Sequence, residues 1–460
     1  MTDTTSAAQR LTAKQFQEAE GTGDWRVLGL GAGAWFGADS HTAGAEFAAR
    51  AQRVASSAGG QGTASPAPEV SAPVQGVPLE ISVRGQGVQV RLPLGPSDDG
   101  LMSAHVDVAR MISAAAQELS LVAEPTVLQD VQLAMDTIDQ AAVLPFWQAA
   151  LGYDPVGEED LLDPLHRHPP IWFQDQDAPR PLRNRIHLDS VMSQEIAVAT
   201  VEALRDSRGT VNDHGYYATV ADVEGNEVDV LPLQDGSDRW QGPDTEDWRL
   251  VFSAIACYPV TSPDQAGQLV QAVAALADEA DLPLSIDVRI TGTGQPLVIV
   301  DSGKDRWEMT EGYEALAARV QEAARGMGLT ADVSAPRFVQ VGIDAVDIPA
   351  VREFWRVALG YEQDPRDGVT DIVDPRQLNV PFFLQGLDAT DEARRAQRNR
   401  IHVDLFLAHD QVAARLEAVR AAGGTVVRDQ APIWWTVADP EGNEIDITTS
   451  FGREEHFSTE

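Results

Sequence analysis

The stretch Arg183–Asp189, RNRIHLD, returns almost unchanged as RNRIHVD at Arg398–Asp404. A phrase repeated that far along a chain signals duplication, and a duplication decides layout before any local reading does. Other echoes keep the same order. DWRVL (Asp24–Leu28) is matched by DWRLV (Asp247–Val251), and FWQAALGY (Phe146–Tyr153) by FWRVALGY (Phe354–Tyr361). VEGNEVDV (Val223–Val230) is matched by PEGNEIDI (Pro440–Ile447). The chain therefore reads as A–B–A′–B′. A covers 1–122, B 123–236, A′ 248–332 and B′ 333–451, with an Asp- and Gly-rich linker at 237–247 and a tail at 452–460. Inside A, the small polar stretch SSAGGQGTASPAP (56–68) is expected to be a mobile loop.

Composition bounds the function. The 460 residues suffice for three or four domains with real cores. The formal charge of −37 repels phosphate backbones and anionic lipid surfaces, so neither nucleic acid nor membrane is an expected partner. A single cysteine, Cys257, excludes an internal disulfide and a cysteine-rich metal site, and favours a reducing compartment. The N-terminus lacks a signal-like basic and apolar pattern, and no stretch has the length of a membrane span. A cytoplasmic location is the expectation.

In the B units, VQLAMD (Val131–Asp136) alternates as a half-buried strand does. IDQAAVLPFWQAAL follows as a helix that Gly152 can cap. PIWFQ and RIHLD read as strands, the latter with Ile186 and Leu188 on one face and Arg185, His187 and Asp189 on the other. A second helix near 194–207, the strand YYATVAD, the turn DVEGN and the strand EVDVL complete the unit. B′ repeats the plan. FWxxxLGY, NRIHxD and DPEGNEID resemble the glyoxalase-like branch of the vicinal oxygen chelate superfamily. That resemblance implies paired βαβββ modules whose sheets curl around a cleft.

The A units resemble pterin-4a-carbinolamine dehydratase, through LTAKQF, the tryptophan in DWRVL, AGAEFAARAQRVA, GVQVRL and GLMSAHVDVARMI. A′ carries a fainter version in WRLVFSAIACYP, LSIDVR, LVIVDS and GYEALAARV. The implied fold class is α+β: two glyoxalase-like paired βαβββ domains alternating with two dehydratase-like domains. Pairing of A with A′ and B with B′ would give an internal pseudo-two-fold, in a monomer or a homodimer.

The glyoxalase-like resemblance implies four cleft positions per unit. They fall at Gln132, Gln174, His187 and Asp229 in B, and at Gln340, Gln385, His402 and Asp446 in B′. His187, Asp229, His402 and Asp446 are the candidate ligands of a possible divalent metal, no cofactor being certain. Each set offers one imidazole and one carboxylate, and neutral amide oxygens are weak donors. A polar cluster lining a binding cleft therefore competes with a metal site, with Arg185 and Arg400 beside the histidines. Trp172 and Trp434 could stack on a flat ligand, while Trp147 and Trp355 belong to the core. His166 and His168 in DPLHRHPP lack counterparts in DPRQLNVP and read as a solvent loop. The dehydratase family's catalytic histidines are replaced by Pro66-Ala67-Pro68 and Leu94-Gly95 in A, and by Asp281-Leu282-Pro283 and Asp301-Ser302 in A′. The Asp that follows in that family aligns with His105 and Tyr313. General acid–base work at neutral pH needs such imidazoles, so a scaffold role is expected for both A units.

The resulting expectation is a small-molecule binding or sequestering protein. A metal-dependent lyase, isomerase or dioxygenase is the alternative, and a 4a-hydroxytetrahydrobiopterin dehydratase the least favoured.

Overall fold

The structure is a computed structural model that describes residues 9–58, 76–94, 100–206, 209–291 and 294–458. Most of the 56–68 loop, Pro66-Ala67-Pro68 included, and Gly95 lie outside the described residues.

A and A′ share one sheet. Its order is Arg249–Leu250, Ala254–Pro259, Pro296–Asp301, Ser285–Ile290, Glu80–Arg84, Gly87–Pro93, Gly31–Gly37, Arg26–Leu28, with Val122–Ala123 beside Gly31–Gly37. The two units join antiparallel where Val83 faces Ile286 and Ser82 faces Asp287. Alternation then divides the faces. Ile81, Val83, Val88, Val90, Ile286, Val288, Val298 and Val300 turn into one core. Helices His41–Ser57, Ser103–Glu118, Pro263–Ala280 and Tyr313–Gly326 supply its other wall. Ser40 and Ser262 cap two of these helices by accepting from Ala43 N and Gln265 N. Gly44 lets its helix approach closely, since a Cβ there would lie 2.9 Å from the Val88 side chain.

B and B′ pair as well, but crosswise. One eight-stranded sheet runs Thr425–Gln430, Trp434–Ala438, Glu444–Thr448, Ile401–Leu407, Gln129–Thr137, Ile171–Asp175, Asp160–Leu162, Asp154–Val156. The other runs Thr210–Asp213, Ala218–Ala221, Glu227–Leu231, Ile186–Met192, Arg337–Ala345, Phe382–Gly386, Ile372–Val373, Glu362–Gln363. Each sheet thus unites the first module of one B unit with the second module of the other. This corrects the expectation that Gln132 and Gln174 share a cleft with His187 and Asp229. The two second modules are nearly interchangeable in pattern, so periodicity could not choose between them.

The repeated RNR phrase makes the choice physical. Asn184 Oδ1 accepts from the Arg400 N–H at 2.9 Å, and Asn399 Oδ1 accepts from the Arg185 N–H at 2.9 Å. Arg400 donates to Asn226 Oδ1, Leu182 O and Gly225 O at 2.8, 3.0 and 2.9 Å. Arg185 donates to Glu441 O and Gly442 O at 2.5 and 3.2 Å. Both arginines are buried in this seam, where protein acceptors take up their donors. Arg185 and Arg400 are therefore seam residues, which corrects the expectation that they flank a ligand.

The repeated EGN turns are structural too. Asp222 accepts from Glu224 N and Asn226 N, each at 2.9 Å, while its other oxygen takes the Trp147 Nε1–H at 2.9 Å. Asp439 does the same for Glu441, Asn443 and Trp355. Trp147 and Trp355 are wholly buried in the shared core. Gly152 and Gly360 end their helices at φ 65° and 66°.

The loop Asp163–Pro170 is not a solvent loop. His168 Nδ1 bonds Asp163 at 2.9 Å, His166 bonds Glu80 on the A/A′ sheet, and Arg167 meets Asp287 at 3.0 Å. The sheet face opposite the helices is polar at its centre, with Glu80, Ser82, Arg84, Asp287 and Arg289, and this loop docks onto it. Burial alone would raise the Glu80 carboxyl, but His166, Arg91 and Arg289 bring it down to about 2. A carboxylate whose folded pKa is depressed stabilises the fold above its unfolded value and loses that contribution as pH falls through about 2. Glu80→Gln should thus cost about 2–3 kcal/mol at pH 7 and almost nothing near pH 2. Denaturant midpoints of the two proteins against pH check this, and a pH-independent difference would contradict it.

The linker and tail are also engaged. Asp238 in 237–247 accepts from Gln194 N at 2.9 Å, and Trp240 packs against the A/A′ core. Among the described residues no helix is long and apolar enough to cross a membrane. Cys257 is buried, and burial pushes its thiol up to about 12, so it is not a nucleophile.

Candidate functional site

The crosswise sheets make two composite clefts. In the first, Asp404 lies opposite Gln132 and beside Asp446, and Thr436 lies opposite Asp446. His402 is two residues before Asp404 and so shares its face. These side chains line a cavity of about 530 Å³ with Gln174, Trp172, Trp434, Phe406 and three arginines, Arg398, Arg428 and Arg453. Arg453 and Phe457 come from the tail, whose short helix Arg453–Phe457 forms part of the wall. Phe457 stacks on Trp434 with centroids 6.1 Å apart.

The floor of this cleft is an incomplete polar cluster. Single ligand atoms of His402, Asp404 and Asp446 lie within 4.8 Å of one another. His402 Nε2 is 3.6 Å from Asp404 Oδ1. His402 Nδ1, Asp404 Oδ1 and Asp446 Oδ1 are buried with no hydrogen-bond partner. His402 Nδ1 faces Asp136 Oδ1 at 3.9 Å, whereas its Nε2 faces Asp404. A buried polar atom left unpaired costs roughly 1–3 kcal/mol, so the two carboxylate oxygens beside that Nε2 demand an explanation. Burial, with the Asp446 charge beside it, holds the Asp404 carboxyl well above the usual carboxylate range. Gln174 is occupied elsewhere, its Nε2 donating to Asp136 Oδ1 at 2.5 Å.

The second cleft repeats the set with His187, Asp189 and Asp229, again within 4.8 Å. Asp189 Oδ1 and Gln340 Oε1 are buried without a partner here too, but Asp229 Oδ1 and Asp189 Oδ2 are taken. Gln340 Nε2 donates to Asp189 Oδ2 at 2.7 Å, and Thr219 Oγ1 donates to Asp229 Oδ1 at 2.6 Å. Gln385 donates to Asp344 at 2.6 Å. Burial first, then the Asp229 charge, pushes the Asp189 carboxyl up to about 6 despite His187. The His187 ring packs edge-on against Phe383, 5.6 Å between centroids. It occupies space that Gly342 leaves open, because a Cβ there would lie 2.3 Å from the ring. The matching position in the first cleft is Ala134, and Trp172 stands where Phe383 does.

A family model for a glyoxalase-like domain matches residues 132–231 and again 340–448. The chain carries two glyoxalase-like domains. Among solved structures, a glyoxalase I mutant from Zea mays aligns over 71% of this chain and 95% of its own, at 10% identity and a TM-score of 0.37. A putative dioxygenase from Bacillus subtilis subsp. subtilis str. 168 aligns over 71% and 86%, at 9% identity and 0.34. No curated protein sequence matches.

The two glyoxalase-like domains thus exchange modules to build their clefts. Gln132, Gln174, Trp172, His402, Asp446 and Trp434 meet in one, and His187, Asp229 and Gln340 in the other. The sequence reading missed Asp189 and Asp404 as site residues, although strand parity already set Asp189 on the His187 face. It missed Arg453 and Phe457 because only the tertiary fold returns the tail to the cleft.

Gly342→Ala tests the crowding of the second cleft. The added methyl must displace the His187 or Phe383 ring, at a cost of about 1–3 kcal/mol. Calorimetric unfolding should show that loss, and an unchanged melting temperature would contradict it.

Proposed function

We propose that the chain binds a small organic molecule in the first composite cleft, at a divalent cation held by His402, Asp404 and Asp446. The observation that carries this reading is the convergence of ligand atoms of His402, Asp404 and Asp446 within 4.8 Å, with Asp404 Oδ1 and Asp446 Oδ1 buried and unpartnered. Asp404 supplies the second carboxylate that the sequence-level ligand set lacked, and one imidazole with two carboxylates suits a divalent cation. A cation there would act as a Lewis acid toward oxygens of the organic ligand. Trp172, Trp434 and Phe406 offer flat apolar walls, and Arg398, Arg428 and Arg453 favour an anionic group.

A metal-dependent lyase, isomerase or dioxygenase is the second reading. The same His402, Asp404 and Asp446 cluster would hold its cation, which would polarise a substrate oxygen. For the A units we propose a scaffold role. Their buried histidine is already committed, with His41 bonded to Asp278 at 2.9 Å and Leu284 O at 3.0 Å. His105 Nδ1 accepts from Met102 N at 2.8 Å.

Titrating metal-free full-length protein with Zn²⁺, Mn²⁺ and Co²⁺ by calorimetry tests the reading. One equivalent of at least one cation should bind with a Kd below about 10 μM. If none binds tighter than about 1 mM, the metal reading fails.

A further inference from the structure

A second cavity lies away from both clefts, where the polar face of the A/A′ sheet meets the glyoxalase-like domains. Its volume is about 290 Å³. The loops Asp163–Pro170 and Asp374–Pro381, which are equivalent in the duplication, enter it from the two sides of the pseudo-two-fold. The sheet contributes Arg84, Arg91, Asp287, Arg289 and Asp301, Arg167 and Arg306 face them, and Lys304, Asp364, Asp374 and Glu362 complete the charged lining.

The charges there do not balance pairwise. Asp287 answers three guanidiniums, Arg84 at 2.7 Å, Arg167 at 3.0 Å and Arg289 at 3.7 Å. Arg167 also reaches Asp301 at 2.5 Å, and Arg91 reaches Glu80 at 3.1 Å. Among the described residues no carboxylate pairs with Arg306; with the Gln377 amide turned, its oxygen accepts from Arg306 Nη2, Nη1 and Nε at 2.5, 2.9 and 3.1 Å. Arg289 is buried, and its Nε has no hydrogen-bond partner. A guanidinium kept from water without a full set of acceptors is costly, and a bound oxyanion removes much of that cost. Phe338, Leu378 and Val380 form an apolar stretch of the wall, while Glu362, Gln363 and Pro365 are exposed at the rim.

We propose that this junction cavity is a binding site for a small organic oxyanion, a carboxylate or phosphate monoester on an apolar body. It is separate from the cleft ligand. The anionic group meets Arg306 and the Arg84–Arg289 side, and the body lies against Phe338 and Val380. Neither cleft is needed for the site, so it stands or falls independently of the metal reading.

Full-length, metal-free protein titrated with inorganic phosphate and with phenyl phosphate tests it. Phenyl phosphate should bind with one equivalent and at least about tenfold tighter than inorganic phosphate, because only it can fill the apolar half. Arg306→Gln should weaken phenyl phosphate about tenfold or more, in a protein that still unfolds cooperatively although the bond to Gln377 is lost. Arg453→Gln, in the first cleft, should leave the affinity as it is. Absence of binding to about 10 mM would overturn the proposal. So would affinity lost in Arg453→Gln but kept in Arg306→Gln, or kept in both variants.

Discussion

Arg400→Ala is expected to destabilise the protein by about 3–5 kcal/mol, the largest stability loss of any single seam substitution. The side chain is 1% exposed and donates to Asn226 Oδ1, Leu182 O, Arg180 O and Gly225 O. Truncation would strip Arg180 O and Gly225 O of this donor, leave Asn226 Oδ1 and Leu182 O to Asn184 and Gln397 alone, and open a void between the two domains. Arg400→Met separates the two contributions, because it keeps most of the volume and removes every donor. It should retain less than half of the lost stability. Arg400→Lys should not rescue, since one ammonium cannot span acceptors that a planar fork reaches together. Denaturant midpoints check all three, and an alanine variant within about 1 kcal/mol of the parent would sink the account. Arg185→Ala is the matching experiment on the other side of the pseudo-two-fold.

His402→Ala is expected to lower divalent-cation affinity by about 100-fold or more, while His187→Ala leaves the strong site untouched. The reason is the difference between the clefts. Asp404 Oδ1 and Asp446 Oδ1 are both buried and unpartnered, whereas among the carboxylates of the other cleft only Asp189 Oδ1 is, Thr219 already engaging Asp229 and Phe383 packing on His187. If His187→Ala abolishes the tight site and His402→Ala spares it, the assignment of the working cleft is reversed. Asp404→Asn adds a pH signature. A carboxyl whose folded pKa is raised by burial makes the metal-free fold most stable below the unfolded value of 3.8, and less stable as pH rises toward the folded value. The asparagine variant should therefore lose that pH dependence and be more stable than the parent at neutral pH. Thermal melts at several pH values in a chelator decide it.

Function would then divide between the two readings by turnover. A binder keeps ligand affinity at a reduced level in His402→Ala. A metal-dependent enzyme loses turnover altogether, with substrate still able to reach Trp172 and Trp434.

Much of this architecture was legible in the sequence. The repeat of DWR, FWxxxLGY, RNRIHxD and EGNExD set out four units, and alternation in VQLAMD and RIHLD assigned inward and outward faces. Pairing within the chain followed from the duplication, because each unit has its equal available at high effective concentration. Those features are local, and period-two patterns and helix caps report them directly.

Which modules pair was not local. Val131–Asp136 can dock against either RIHLD or RIHVD with the same apolar pattern, so nothing in periodicity separates Gln132–His187 from Gln132–His402. The buried fork of Arg185 and Arg400 across the seam decides it, through carbonyl acceptors that a sequence does not display. The same holds for the partners of Arg167 and His166, and for the tail that brings Arg453 to the cleft. The sequence by itself determined the units, their strands and the residues facing inward. The tertiary structure alone decided which inward faces meet, because hydrophobic alternation specifies a face whereas buried hydrogen bonds specify its partner.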